Sequence, residues 1–141
     1  MTQVDFYLLG DNGDDNRIRL ACRLIDKAFR LRRRIYVYTG SEAEAAQLDQ
    51  LLWTFNPGSF VPHELNSGQE APETPVVIGH QEPPGEFADV LVSLASDVPS
   101  FFSRFERVAE VVGGSEAEKE QARERFRFYR DRGYELETHT L

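Results

Sequence analysis

The chain has 141 residues, with 16 lysines and arginines against 24 aspartates and glutamates, and a formal charge of −8. That length suits one domain with a genuine core, residues 1–141, and the charge argues against strong direct binding to nucleic-acid backbones, which requires clustered positive surface. A single cysteine, Cys22, rules out an internal disulfide.

The start, MTQVDFYLLGDNGDD, has no basic segment followed by an apolar run, and no apolar stretch approaches the ~18 residues of a membrane span. A cytoplasmic protein without membrane contact is expected, and one unpaired cysteine fits a reducing compartment. The charge is uneven along the chain: no lysine or arginine occurs from Ile35 to Ser103, where ten acids do, and eight bases lie on each flank. Folding must set basic patches beside an acidic middle.

Val4 to Leu9 is short, branched and aromatic, and predicts a buried first strand ending at Gly-Asp-Asn-Gly. From Asp14 or Asp15 the period changes. Ile18, Ala21, Cys22, Ile25, Ala28 and Phe29 recur at three and four and predict a helix, which Arg30 to Arg34 closes with cations suited to the dipole. Ile35 to Thr39 alternates as a second strand. Ser41 with Glu44 makes a Ser-x-x-Glu cap for a second helix, buried through Ala45, Leu48, Leu52 and Phe55.

Trp53 projects about 130° away from that stripe. A large ring on a polar side needs a cover, and Pro57, Phe60 and Pro62 supply two readings: an internal lid, or an exposed patch for a partner. Asn66 to Pro75 reads as a surface loop. Val76 to Gly79 and Asp89 to Leu94 predict strands on either side of Pro83 to Gly85, Pro99 opens a brief helix to Phe105, and Arg107 to Val112 is strand-like. Glu135 to Leu141 alternates as a final strand. The order predicts a single three-layer α/β domain with a mostly parallel central sheet flanked by helices, Rossmann-like but without a nucleotide-binding loop.

Catalytic signatures are missing from the sequence. Gly10 and Gly13 frame neither G-x-G-x-x-G nor a Walker loop, and Asp11, Asp14 and Asp15 would repel phosphates. His63, His80 and His139 are dispersed, and one cysteine cannot complete a zinc site. No serine lies in a nucleophile elbow. No enzyme activity, cofactor or metal is therefore expected.

Ser115 to Gly133 predicts the last helix, capped by Ser115 and Glu118. Lys119, Arg123, Arg127 and Arg130 share one arc, edged by Ala122, Phe126 and Tyr129. Glu116, Glu118, Glu120 and Glu124 can pair with those bases as an ordinary solvated face. The other reading is functional: a cationic row beside an aromatic ring suits an acidic peptide that ends in a bulky residue and a carboxylate, which an arginine fork can grip.

The run ARERFRFYRDRGY, with FYLL at Phe6 to Leu9, LLW at Leu51 to Trp53 and SFVPHEL at Ser59 to Leu65, resembles the chi subunit of bacterial DNA polymerase III along nearly the whole chain. The resemblance implies a non-catalytic adaptor in DNA replication. Such an adaptor joins the clamp-loader assembly to the acidic C-terminal tail of single-stranded-DNA-binding protein and separately binds the psi subunit, or a repair helicase on the same surface, as a monomer within a hetero-complex. It implies tail contacts at Val112, Lys119, Arg123, Phe126 and Arg127, with Val112 and Phe126 lining an apolar pocket, and psi contacts at Trp53 and Phe60. At 126 and 127 this chain carries Phe and Arg where the family pattern has Tyr and Lys, which keeps ring and charge but loses a hydroxyl. The runner-up is a small α/β nucleotide-binding protein or enzyme without a linear motif.

Overall fold

A computed structural model describes residues 2–9, 17–56, 58, 60–68 and 72–140. Seven strands form one sheet: β1 (Gln3–Leu8), β2 (Ile35–Tyr38), β3 (His63–Leu65), β4 (Val76–Gly79), β5 (Val90–Ser93), β6 (Arg107–Val112) and β7 (Glu135–Thr140). Their order is β3-β4-β2-β5-β6-β1-β7, and every neighbouring pair is parallel. Three helices accompany them: α1 (Arg17–Arg30), α2 (Glu42–Thr54) and α3 (Glu116–Asp131).

Parallel strands need crossovers, and those crossovers lay helices on both faces. Ile18, Ala21, Cys22 and Ile25 of α1 and Ala45, Leu48 and Leu52 of α2 pack with Ile35, Val37, Val76 and Ile78 on one side. Ala122 and Tyr129 of α3 pack with Val4, Phe6, Tyr36, Val77 and Phe102 on the other. Residues of alternate parity along β2 and β4 thus enter different cores. For this reason Ile35 to Val37 are all buried instead of alternating with solvent. Cys22 is fully buried, and burial pushes its thiol up to about 12.

The predicted elements appear with small shifts. The helix start at Asp14 or Asp15 lies outside the described residues, as does Pro57. The strands before and after Pro83 to Gly85 both pair with β2, which lies between them. The brief helix after Pro99 is one 3₁₀ turn, Phe102–Arg104, begun by a hydrogen bond from the Phe102 amide to the Pro99 carbonyl at 3.1 Å. Strand β3 is an addition: three residues carry too little periodicity to be read from sequence.

Helices α1 and α3 end in the same motif. The Tyr134 amide donates to the Tyr129 carbonyl and the Gly133 amide to that of Arg130; at α1 the Arg33 amide donates to Ala28 and the Arg32 amide to Phe29. The left-handed position is Gly133 (φ 82°) in one and Arg32 (φ 61°) in the other. Among the described residues, no helix is long and apolar enough to cross a membrane.

Candidate functional site

Helix α3 is fixed at its start by the expected cap. Ser115 Oγ accepts from the Glu118 amide at 3.1 Å and donates to Glu118 Oε1 at 2.8 Å. The returning Glu118 carboxylate folds over Gly113, where it leaves no room for a Cβ. Further along, Arg125 turns inward. It donates from Nε to Glu110 Oε1 at 3.0 Å and from Nη1 to the Ser96 carbonyl at 2.9 Å, while the Tyr129 hydroxyl donates to Glu110 Oε2 at 2.6 Å. Burial pushes the Glu110 carboxyl up, and Arg125 and Tyr129 pull it back. Burial, with the Glu110 charge second, pushes the Tyr129 phenol well above its usual range.

This buried anchor sets the outer face of α3. Phe126 is half-buried, and its ring lies 5.5 Å from that of Phe6. Between α3 and the β1–β7 pair opens a hollow of about 360 Å³, with Phe6, Leu8, Leu9, Ala122 and Phe126 as apolar walls and Thr138 and Thr140 along one side. Lys119 and Arg123 stand at its rim.

Of the expected tail contacts, the structure therefore gathers Lys119, Arg123 and Phe126. Arg127 lies one helical turn beyond Arg123 and does not line the hollow. Val112 is buried, packs in the same core as Phe126, and lines a neighbouring hollow of about 330 Å³. Each cation has an acid one turn back: Lys119 with Glu116 at 3.9 Å, Arg123 with Glu120 at 2.7 Å, Arg127 with Glu124 at 2.5 Å. The solvated-face reading is thus correct for the helix alone. Those glutamates are 86, 62 and 66 % exposed in their side chains, where an ion pair contributes about 0–1 kcal/mol, so an incoming carboxylate can exchange for any of them.

Sequence reading missed the strand contributions from Leu8, Leu9, Thr138 and Thr140, because nothing in a helix's own spacing reveals what it packs over. Arg125 carried a signal: three residues after Ala122 and four before Tyr129, it belongs to the apolar face.

The second expected surface lies at the opposite edge of the sheet. Helix α2 packs on β3 and β4, the far end from β7. Trp53 is 47 % exposed and Phe60 67 %, with their rings 5.6 Å apart. The inner side of Trp53 rests on His63 at 4.1 Å, and the His63 ring nitrogens lie 2.7 Å from the Val61 carbonyl and 2.9 Å from that of Asp49. Its own chain thus covers one side of Trp53 and leaves the other open.

The 330 Å³ hollow sits past the carboxyl ends of β5 and β6, where open α/β sheets bind ligands. Arg17 enters it but is held by Glu44 and by Glu118, the latter at 3.5 Å. On the α1 face of the sheet, Asp5, Glu137 and His139 bring ligand-type atoms within 4.8 Å of one another. Asp5 is already gripped by Arg107 at 2.8 Å, which makes the group an ion-pair cluster.

These features define an open three-layer α/β protein with a fully parallel sheet. Residues 1–137 match the family model of the DNA polymerase III chi subunit, HolC. The chain is 42 % identical over 141 residues to the DNA polymerase III subunit chi of Pseudomonas aeruginosa, covering all of this chain and 98 % of that one. It is 31 % identical to the subunit chi of Haemophilus influenzae (98 % and 96 % covered) and 30 % identical to that of Escherichia coli (99 % of each). The chain belongs to the DNA polymerase III chi subunit family: an accessory, non-catalytic subunit in DNA replication. Among solved structures, the crystal structure of T4 UvsW superposes with a TM-score of 0.65 over 99 % of this chain and 41 % of that one, at 9 % identity, which is a likeness of fold alone.

Proposed function

We propose that the chain is a cytoplasmic, single-domain adaptor that associates with the clamp loader and works as one copy within a hetero-complex. The hollow beneath α3 takes the acidic C-terminal tail of single-stranded-DNA-binding protein. A bulky terminal side chain enters the hollow against Phe126, Leu8 and Leu9, Arg123 or Lys119 meets the terminal carboxylate, and Arg127 draws the upstream acids from one turn away. The Trp53 and Phe60 surface takes the psi subunit, or a repair helicase in its place. The supporting observation is the apolar hollow with Lys119 and Arg123 at its rim.

Calorimetry with the acidic tail peptide tests the first half. Arg123→Ala should weaken binding by about 1–3 kcal/mol, the loss of a charge-assisted contact, and affinity should fall with salt. Arg127→Ala should cost less than Arg123→Ala. Wild-type affinity in both variants removes the site.

The crevice past β5 and β6 is the place for the rival reading, a nucleotide site. Of its two arginines, Arg17 is engaged by Glu44 and Glu118 and Arg125 by Glu110, carboxylates that would oppose phosphate. Thermal-shift titration with nucleotides tests it, and a saturable shift would favour the rival.

A further inference from the structure

The C-terminal end of α1 carries a cation where a glycine belongs. The left-handed position that closes α3 is Gly133, whereas the matching position of α1 is Arg32 at φ 61°, a conformation an L side chain adopts only against steric resistance. Arg32 is exposed, and so are its neighbours Leu31 and Arg33. Leu31 is 65 % exposed, an aliphatic side chain left in water among arginines.

Beside this turn lies a hollow of about 260 Å³. Helix α1 packs over β2, β5 and β6, and its outer edge faces β1 across this gap. Leu24, Ala28, Leu31 and Val92 provide aliphatic walls, with Lys27 and Arg33 at the α1 rim. Among the described residues no acid pairs with Lys27 or Arg32, and Arg33 has only the exposed Glu106 at 3.6 Å. At the far end, Asp5 and Arg107 neutralise each other at 2.8 Å. The unbalanced positive charge therefore lies along the α1 side.

We propose that this hollow is a second peptide-binding site, for an acidic segment that carries an aliphatic side chain. The aliphatic group sits against Leu24, Ala28 and Leu31, the acids meet Lys27 and Arg33 at the rim, and Arg32, which does not itself line the hollow, draws them from the adjoining turn. A nucleic acid fits less well. Bases seek free aromatic faces, and the two rings that line this hollow, Tyr7 and His139, are already stacked on each other at 4.7 Å and 17°. The site stands apart from the α3 hollow, since it needs no terminal carboxylate.

The probe is the peptide Asp-Asp-Leu-Asp-Asp, acetylated and amidated so that it offers no free terminus, titrated into the labelled full chain and followed by amide chemical shifts. Shifts should concentrate at Lys27 to Arg33 and at Ala109, and weaken with salt. Arg32→Gly should raise the thermal unfolding midpoint, because glycine relieves the left-handed turn, while weakening the peptide about fivefold, the scale of one exposed charge contact. Leu31→Ser should weaken it without unfolding the chain. The proposal is overturned by shifts confined to α3, by unchanged affinity in Arg32→Gly, by an oligonucleotide of equal charge shifting the same amides as strongly, or by dimer formation at this face.

Discussion

The ring of Phe126 packs on that of Phe6 at 5.5 Å and 58°, so the one aromatic residue that α3 presents to the hollow is braced by the first strand of the sheet. The brace makes the wall rigid before any ligand arrives, which limits the entropy lost on binding. Phe126→Ala should therefore abolish measurable binding of the acidic tail while lowering stability by only about 1–2 kcal/mol, since the side chain is half-buried. Phe126→Tyr should leave affinity within about threefold, because ring and packing persist. Calorimetry paired with urea unfolding separates the two quantities.

Local glutamates compete with the proposed ligand for the same cations. Glu120 holds Arg123 and Glu124 holds Arg127. Glu120→Gln should strengthen tail binding by about 0.5–1 kcal/mol, the scale of an exposed pair, and steepen its salt dependence. A weaker complex would mean that Glu120 orients Arg123 for the ligand instead of competing with it.

The inner side of α3 behaves oppositely. Arg125 and Glu110 are 6 % and 0 % exposed in their side chains, so removing one leaves a buried charge without its partner. Arg125→Ala should cost about 3–5 kcal/mol of unfolding free energy, against about 0.5 or less for Arg123→Ala. Glu110→Gln with Arg125→Met, which removes both charges, should recover part of that loss. Urea titration of the three variants gives the comparison, and similar costs for Arg125→Ala and Arg123→Ala would refute the division of labour between them.

The alternation of strands and helices was readable because each element keeps one period over several turns, as in Ile18 to Phe29 or Glu116 to Asp131. Caps were readable because Ser41 with Glu44, and Ser115 with Glu118, satisfy amides locally. What escaped was everything set by contacts distant in sequence. The spacing of Arg125 sets it on the apolar face, but its partner Glu110, fifteen residues away, is visible only in the fold, and β3 has no pattern of its own until β4 pairs with it. The hollow illustrates the same limit: its cations and Phe126 come from one helix, but its other walls come from β1 and β7, joined only by the parallel register that sets Phe6 beside Thr138 and Leu8 beside Thr140.

Trp53 is the one tryptophan in the chain, and it lies at the centre of the proposed psi surface. Half of it is in water and half rests on His63, so the free protein should emit with the red-shifted maximum of a partly solvated indole. Docking of the psi subunit would bury the open side together with Phe60, and the maximum should move to shorter wavelength in proportion to complex formed. The acidic tail peptide, bound at the opposite edge of the sheet, should leave the spectrum unchanged. Trp53→Ala should cost little stability, because much of the ring is already exposed, yet it should eliminate co-purification with psi, as expected for an aromatic anchor at the middle of an interface. If psi binds without moving the emission, the surface lies elsewhere.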